Sequence, residues 1–577
     1  MKKSMFFVGA MIAAGLSFTA CSSDNDAVQE ETSLNSKFDV QGNAYVNIAI
    51  NLPTRSGTRA NEVYDDGLAS EYDVKDAVLV LFNGTNADED NATFVSASTM
   101  DNHVAQGSSN IRISDKVLFT QQINKGDANL AGASGLLAFL VVNHNNTFTV
   151  GSDHSLKIDG DAFTGKFSAL KALTLSEIGN TSTGLLMTNA PMSSKPGKTA
   201  SPAGANITWL TEIKATDIYN SEADAYNGTN VVDIFVERAA AKVNVTAENA
   251  TGKLIDADVS YNKGGIKWLI ENYNTSYYIE RHISNSYFGS SSVNLGTGVT
   301  NYRFVDSQPV ETGFTLYRTY WAEDPNMEAK PDENGTVAGT QPALTTWNSI
   351  DGIKYIAENT ISQNYLKQGY TTRVVLAVPF NNGNSFYTTS WTGADVIVDE
   401  DDIQTSVVSF IKTLPQYTEW KDANGSYDIT GATIQNNNDG SVSITALSAS
   451  GGGSTSDLLS AVQSKGQLSY FENGLAYYKV LIKHFGDEET PLAATISGTA
   501  YEDIYGSQAS NRIRDFLGRY SVVRNNWYNI DLAGIKHIGK PSVPEMPAET
   551  PDDEIDSYLK VRINVLSWAK RVQSVTL

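Results

Sequence analysis

Cysteine occurs once in the 577 residues, at Cys21, so no disulfide can form within the chain and the fold must rest on hydrophobic burial and backbone ladders. Basic residues are scarce beside acidic ones, 42 against 65, and the resulting net charge of -23 repels nucleic acid and anionic membrane surfaces. Histidine is rare as well. His103, His144, His154, His282, His484 and His537 are scattered without the close pairing that a zinc site on a helix requires, and each is expected at the surface or in packing. The apolar stretch Met5–Ala20 falls short of the roughly 20 residues of a membrane span. The chain has no Gly-x-Ser-x-Gly elbow and no phosphate-binding loop, and Gly451-Gly452-Gly453 lacks the strand-to-helix setting of a nucleotide fingerprint. Asp399-Glu400-Asp401-Asp402 reads as a solvated acidic loop, because no glycine-turned loop with a terminal glutamate follows to hold calcium. Neither metal, cofactor nor enzymatic chemistry has positive support.

What is present favours strands. Forty-five glycines and 27 tyrosines, with abundant Asn, Thr, Ser and Val, suit strands joined by polar turns, so the expected class is all-β with a minor helix. Lys2 and Lys3, the apolar Met5–Ala20 and the small Thr19 and Ala20 before Cys21 make a secretory signal in which the thiol carries a lipid. The polar acidic run Ser22–Asp26 then serves as a tether. Tyr45–Leu52 alternates, with Val46, Ile48, Ile50 and Leu52 on one face and Tyr45, Asn47, Ala49 and Asn51 on the other, a strand with one buried face. Behind it Pro53–Arg59 is small, polar and rich in breakers, an exposed loop marked by Arg55 and Arg59.

Ala77–Phe82 and Leu136–Asn143 are near-continuous apolar runs, expected as strands buried on both faces of a sandwich core. Ser168–Ile178 is expected as a short helix outside the sheet. Val231–Val245 makes one long strand or two successive ones, with a domain junction near Val236. Ile266–Ile270, Val374–Val378, Ser441–Leu447 and Ala476–Lys483 carry strand composition, as does part of Val522–Ile538. Pro541, Pro544, Pro547 and Pro551 with five acidic residues between Glu545 and Glu554 make a stiff linker that should stand off the domain. Beyond it Leu559, Val561, Ile563 and Val565 alternate with Lys560, Arg562 and Asn564, a second one-faced strand with no evident partner.

The two terminal strands are complementary. A cut after Arg59 or Arg55 releases the first strand, and the open sheet edges it leaves recruit another strand. Burying four aliphatic side chains is worth roughly 1.5 to 3 kcal/mol each, together comparable with the roughly 5 to 15 kcal/mol stability of a domain.

Val236-Glu237-Arg238 with Ala241-Lys242-Val243, Leu475-Ala476-Tyr477-Tyr478, the stretch Val522–Ile530 with Ile535-Lys536 and Ile538-Gly539, and the terminal Val561–Trp568 carry a resemblance that spans nearly the whole chain. On them the sequence resembles the fimbrillin-type pilins of the Bacteroidales, and within these the major stalk subunit of the short, Mfa-type fimbria. The resemblance implies two transthyretin-like Greek-key β-sandwich domains plus a C-terminal donor strand. It implies lipoprotein export through Cys21, removal of the first strand by a trypsin-like Arg-specific protease, and polymerisation by donor-strand insertion. The family's cut maps onto Arg59, with Arg55 close by, and Ser567 stands where the family has proline before Trp568.

The organisation expected is a signal over 1–21, tether and first strand over 22–59, sandwich domains over 60–235 and 236–540, linker over 541–557 and donor strand over 558–577. Expected partners are other copies of the chain, anchor and tip pilins, the maturing protease and a host glycan or protein receptor. The expected location is a surface fimbrium, with an outer-membrane lipoprotein as precursor. Two other classes compete, a carbohydrate-binding surface lipoprotein that does not polymerise and an extracellular hydrolase. The first gives the Arg55–Arg59 loop no purpose, and the second needs convergent acid and base residues in a cleft.

Overall fold

The computed structural model describes residues 37–51, 63–65, 67–100, 117–124, 135–176, 178–196, 207–247, 251–255, 257–283, 293–294, 300–301, 304–306, 309–310, 314–329, 340–341, 346–362, 365–485, 517–545 and 568–576. Its first half supplies β1 (Asn43–Asn51), β2 (Val63–Asp65), β3 (Ala77–Asn83), β4 (Thr93–Thr99), β5 (Val117–Asn124), β6 (Leu136–Val142), helix α1 (Phe167–Lys171), β7 (Met187–Asn189), β8 (Thr211–Ile213), β9 (Ile218–Tyr219) and β10 (Val232–Arg238). All these strands except β2 belong to one sheet, ordered β9-β1-β10-β7-β6-β3-β4, with β5 against β1 and β8 against β6.

The unbroken apolar character of β3 and β6 follows from burial on both faces. Leu79, Leu81, Leu136, Leu140 and Val142 face one core, shared with Val46, Ile48, Ile50, Ile234 and Val236. Val78, Val80, Phe82, Leu137, Phe139 and Val141 face a second core, closed by Phe167 and Leu170 of α1. The helix expected over Ser168–Ile178 is shorter than its sequence suggested. It stops at Lys171, and Thr174–Leu175 instead pairs as a strand with Tyr277–Tyr278, since a β-branched residue suits an extended ladder better than a further helical turn.

The second half contains β11 (Ala241–Thr246), β12 (Lys267–Glu271), β13 (Asn348–Ser349), β14 (Ile353–Ile356), β15 (Arg373–Pro379), β16 (Phe386–Thr389), β17 (Gly393–Asp399), α2 (Ile403–Ile411), α3 (Pro415–Asn424), β18 (Ile429–Asn436), β19 (Val442–Ala449), α4 (Ser456–Lys465), β20 (Leu468–Phe471), β21 (Leu475–Leu481), β22 (Asn526–Gly534) and β23 (Trp568–Thr576). Sheet β2-β23-β22-β11-β14 and sheet β13-β12-β15-β21 face each other across one core. Val243, Val245, Tyr528, Ile530 and Leu532 come from the first, and Trp268, Ile270, Val374, Leu376, Val378 and Val480 from the second. Val231–Val245 is two strands in two sheets, the chain passing between them at Ala239 and Ala240.

Between β15 and β21 lies a smaller unit that strand composition did not announce. Helices α2, α3 and α4 pack on the β18–β19 hairpin through Ile403, Val407, Ile411, Trp420, Leu458 and Val462, the spacing of an apolar helix face. Pro415 opens α3 and Gly425, at φ 65°, ends it, as each residue's backbone favours. The acidic run Glu400–Asp402 forms a 3-10 turn directly before α2, where the helix dipole favours negative charge. The linker does not stand off at its start. Lys540 and Tyr477 exchange backbone hydrogen bonds, and Pro541 abuts Gly440, whose φ of +78° and lack of a side chain admit the contact.

Glu89 is buried, its carboxylate accepting from the Trp209 N–H at 2.8 Å and the Leu210 N–H at 3.2 Å. Burial nevertheless pushes its pKa up to about 7. A carboxyl raised in the folded state binds its proton more tightly there than when unfolded, so its contribution is present at low pH and declines as pH rises from about 4.5 through 7. Stability should therefore fall between about pH 4.5 and 7, by at most about 3 kcal/mol from this group. Glu89→Gln should flatten that part of a urea-midpoint profile measured against pH.

Candidate strand-exchange site

An interior strand must satisfy two rows of backbone groups, and β1 does so with three strands from different parts of the sequence. Along one edge Asn43–Ile50 pairs antiparallel with β5, from Asn43 against Asn124 to Ile50 against Val117. Along the other edge Tyr45 and Val46 pair with β9, and Ile48–Asn51 run parallel to β10, with Ala49 opposite Asp233 and Asn51 opposite Phe235. Val46, Ile48 and Ile50 are almost without exposure in the shared core.

The opposite face departs from the one-faced expectation. Asn47, Ala49 and Asn51 are buried as well, because β1 is flanked along its length and covered on both sides. A buried amide needs partners, and Asn51 donates from Nδ2 to Asp233 Oδ1 at 3.0 Å and to the Ala49 carbonyl at 3.2 Å. At the other end Gln122 donates to Asn43 Oδ1 at 2.8 Å.

Leu52, Arg55 and Arg59 lie outside the described residues, as do Cys21 and the donor positions Leu559, Val561, Ile563 and Val565. What the structure does place is either side of the arginine loop. Before it β1 belongs to the first sheet, and after it β2 belongs to the second-half sheet.

Residues 568–576, which follow the alternating stretch, have a partner within the chain. β23 runs parallel to β22, from Asn526 against Ala569 to Gly534 against Thr576, and β2 closes its far edge with Val63 opposite Lys570 and Asp65 opposite Trp568. Its free backbone groups would otherwise be an exposed edge, and pairing in its own chain removes that liability.

The junction draws together residues far apart in sequence. Lys242 and Trp527 are partners across the parallel β11–β22 ladder, the ammonium 3.7 Å from the ring centre. Arg238 Nη1 donates to Asn525 Oδ1 at 3.1 Å, and the Asn525 N–H donates to the Ala240 carbonyl at 2.7 Å. Arg524 pairs with Glu358 at 2.5 Å, Arg281 with Glu237 at 2.8 Å, and Lys242 with Glu71 at 2.7 Å.

Burial pushes the Glu237 carboxyl up, and burial followed by the neighbouring Glu237 pushes Glu280 up further. Tyr355 donates its hydroxyl to Glu71 at 2.6 Å, and burial with that carboxylate raises the phenol. Glu71, Tyr355 and Glu358 escaped the sequence reading, since an isolated acid or tyrosine carries no local signal of a partner so distant along the chain. His484 is a packing residue, its ring nitrogens 2.8 Å from Tyr528 Oη and 2.9 Å from the Tyr320 carbonyl oxygen. Among the described residues no group of three or more His, Cys, Asp or Glu could hold a metal.

Residues 500–574 match the family model described as major fimbrial subunit protein type IV, fimbrillin, C-terminal. That range takes in β22, the donor positions and most of β23. No curated protein matches the chain. Among solved structures, a fimbrilin (fimA) from Porphyromonas gingivalis W83 aligns at 13% identity over 92% of this chain and 97% of its own, with a TM-score of 0.32. The tip fimbrial protein Mfa3 from Porphyromonas gingivalis, with C-terminal truncation, aligns at 11% identity over 59% of this chain and 78% of its own, with a TM-score of 0.23. A fimbrial assembly protein from Parabacteroides distasonis ATCC 8503 aligns at 10% identity over 58% of this chain and 95% of its own, TM-score 0.23.

Lys242→Met leaves the Glu71 carboxylate buried beside a neutral side chain and should cost about 3 to 5 kcal/mol. The measurement is a urea denaturation of the full chain, with a lowered midpoint at unchanged slope. Adding Glu71→Gln should recover part of the loss.

Proposed function

Taking the chain as a fimbrillin-type pilin, we propose that it is a stalk subunit of a cell-surface fimbria, exported as a lipoprotein, cut after an arginine and polymerised by exchange of its first strand for a C-terminal strand of the next copy. The observation that carries this is the seat of β1. It is an interior strand, and its covalent link to everything that follows it runs through residues 52–62, where Arg55 and Arg59 stand. One cut there severs β1 from the remainder of its sheet, and its departure opens a slot bounded by β5, β9 and β10. No side chain can fill that slot, because the exposed backbone N–H and C=O groups on both edges need another strand.

Lipid on Cys21 holds the precursor at the outer membrane until the cut, and the discarded piece carries lipid, tether and β1 together. Possession of both a cuttable loop and a donor favours the stalk over an anchor, which keeps its own first strand, and over a tip, whose donor has no recipient. The role is structural rather than enzymatic, with anchor and tip pilins, the Arg-specific protease and a host glycan or protein receptor as partners. Insertion of Leu559–Val565 into a neighbour withdraws β23 from its own sheet, since Leu566 and Ser567 alone separate Val565 from Trp568.

N-terminal sequencing of sheared surface fibres should give Ala60 as the first residue, or Ser56 if Arg55 is used. A polymerised form beginning at Cys21 would overturn the exchange reading and favour the unpolymerised carbohydrate-binding lipoprotein. Arg55→Ala with Arg59→Ala should yield lipidated monomers and no SDS-resistant ladders on unboiled gels.

A further inference from the structure

We propose that residues 558–565 of a second copy enter the β1 slot in one fixed register, with Tyr558 in the place of Tyr45 and Asn564 in the place of Asn51, and that Asp233 of β10 is the residue that selects it. The inference rests on the strand-exchange reading and adds to it the alignment and its determinant. Tyr45-Val46-Asn47-Ile48-Ala49-Ile50-Asn51-Leu52 set against Tyr558-Leu559-Lys560-Val561-Arg562-Ile563-Asn564-Val565 shares Tyr, Ile and Asn at equivalent places and is aliphatic at all four inward positions.

Alternating aliphatic residues alone do not fix a register, because a slip of two leaves the same face inward. The outward face does. Asn51 donates to Asp233 and Ala49 is the ladder partner of Asp233, so this register gives Asp233 both the equivalent amide, from Asn564, and a guanidinium alongside, from Arg562. A charge-assisted hydrogen bond then joins the neutral one.

The Ala49 position has no exposed surface while Asp233 is partly exposed, and a long arginine stem can run out along the strand to place its charge there. Neither Val117–Asn124 of β5 nor the remainder of Val232–Phe235 contains an ionisable residue, so Asp233 is the one charge these two strands offer, while the helix Glu222–Asn227, which also packs on β1, adds Glu222 and Asp224. A slip one way puts Ser557 at the fully buried Val46 position and Lys560 opposite Asp233. The other slip puts Asn564 opposite Asp233 and Leu566, which cannot donate, in the place of Asn51.

Three double-cysteine versions of the full chain test this, Ile234→Cys combined in turn with Val561→Cys, Ile563→Cys or Val565→Cys, which keep Asp233, Arg562 and Asn564. Ile234 is the ladder partner of Ile50, and neighbouring strands bring paired Cα atoms within disulfide range, so the 563 pair should give ladders that survive boiling without reductant. The 561 and 565 pairs should give none. Cross-linking through 561 or 565 in place of 563 overturns the register while leaving strand exchange intact. Ladders that persist on unboiled gels with no cross-link from any pair overturn residues 558–565 as the occupant, and absence of ladders from the parent chain overturns the exchange reading itself.

A charge swap gives an independent measurement. Arg562→Glu should reduce ladder yield about tenfold by setting like charges together, and adding Asp233→Lys should restore it. Failure of that restoration, with both single variants exported and folded, removes Asp233 as the selector.

Discussion

The rest of the molecule is arranged around a strand that is interior to its sheet but peripheral to the chain. β1 is hydrogen-bonded on both edges and buried on both faces, which by contact energy makes it as integral as β6. Its covalent standing is different, since the chain beyond it passes to another sheet. Interior seating means that loss of β1 exposes two rows of backbone groups at once, a cost no side-chain rearrangement offsets. The first sheet is therefore complete in two conditions only, with its own first strand or with another's.

The junction cluster supplies the stiffness such an exchange needs. Lys242, Glu71, Arg238, Asn525 and Trp527 bind the start of β11, the entry to β22 and the segment behind β2 into one buried unit. Buried ion pairs are weak stabilisers but harsh penalties when broken, so they fix alignment more than they add free energy. Glu71 gives this a directional consequence. It stands only six residues past β2, so a chain cut after Arg59 still has its new end moored to the second-half sheet while β1 is free to leave the first.

Strands were legible where a run was long or its alternation clean, because period two survives any tertiary setting. β1, β3, β6, β15 and β21 all lie where their sequence places them. The double burial of β1 was not legible, as Asn47 and Asn51 look outward by composition, and the partner that suits Asn51 to the interior, Asp233, lies 182 residues away. The helices of residues 403–465 were hidden by a β-rich composition, although the spacing of Ile403, Val407 and Ile411 carries the helical period. At the far end the cleaner alternation over Leu559–Val565 drew attention from Trp568–Thr576, whose place beside β22 is a long-range parallel pairing that no local signal encodes.

That cis pairing bears on how assembly is held in check. A free donor strand and an open slot in one molecule would pair at once, with itself or with any neighbour, and exposed edges of this kind invite uncontrolled association. Here both halves are occupied in the uncut chain, the slot by β1 and the end of the donor segment by β22 and β2. Either occupation alone blocks exchange, and they are not independent, because the loop that holds β1 in sequence is also the chain leading into β2. A single cut in residues 52–62 frees β1 and leaves β2, three residues long, tethered from one side, which weakens the outer closure of β23 at the step that opens the slot. Under the proposed exchange, control of polymerisation by one proteolytic event would then follow from connectivity, without a separate switch in either sheet.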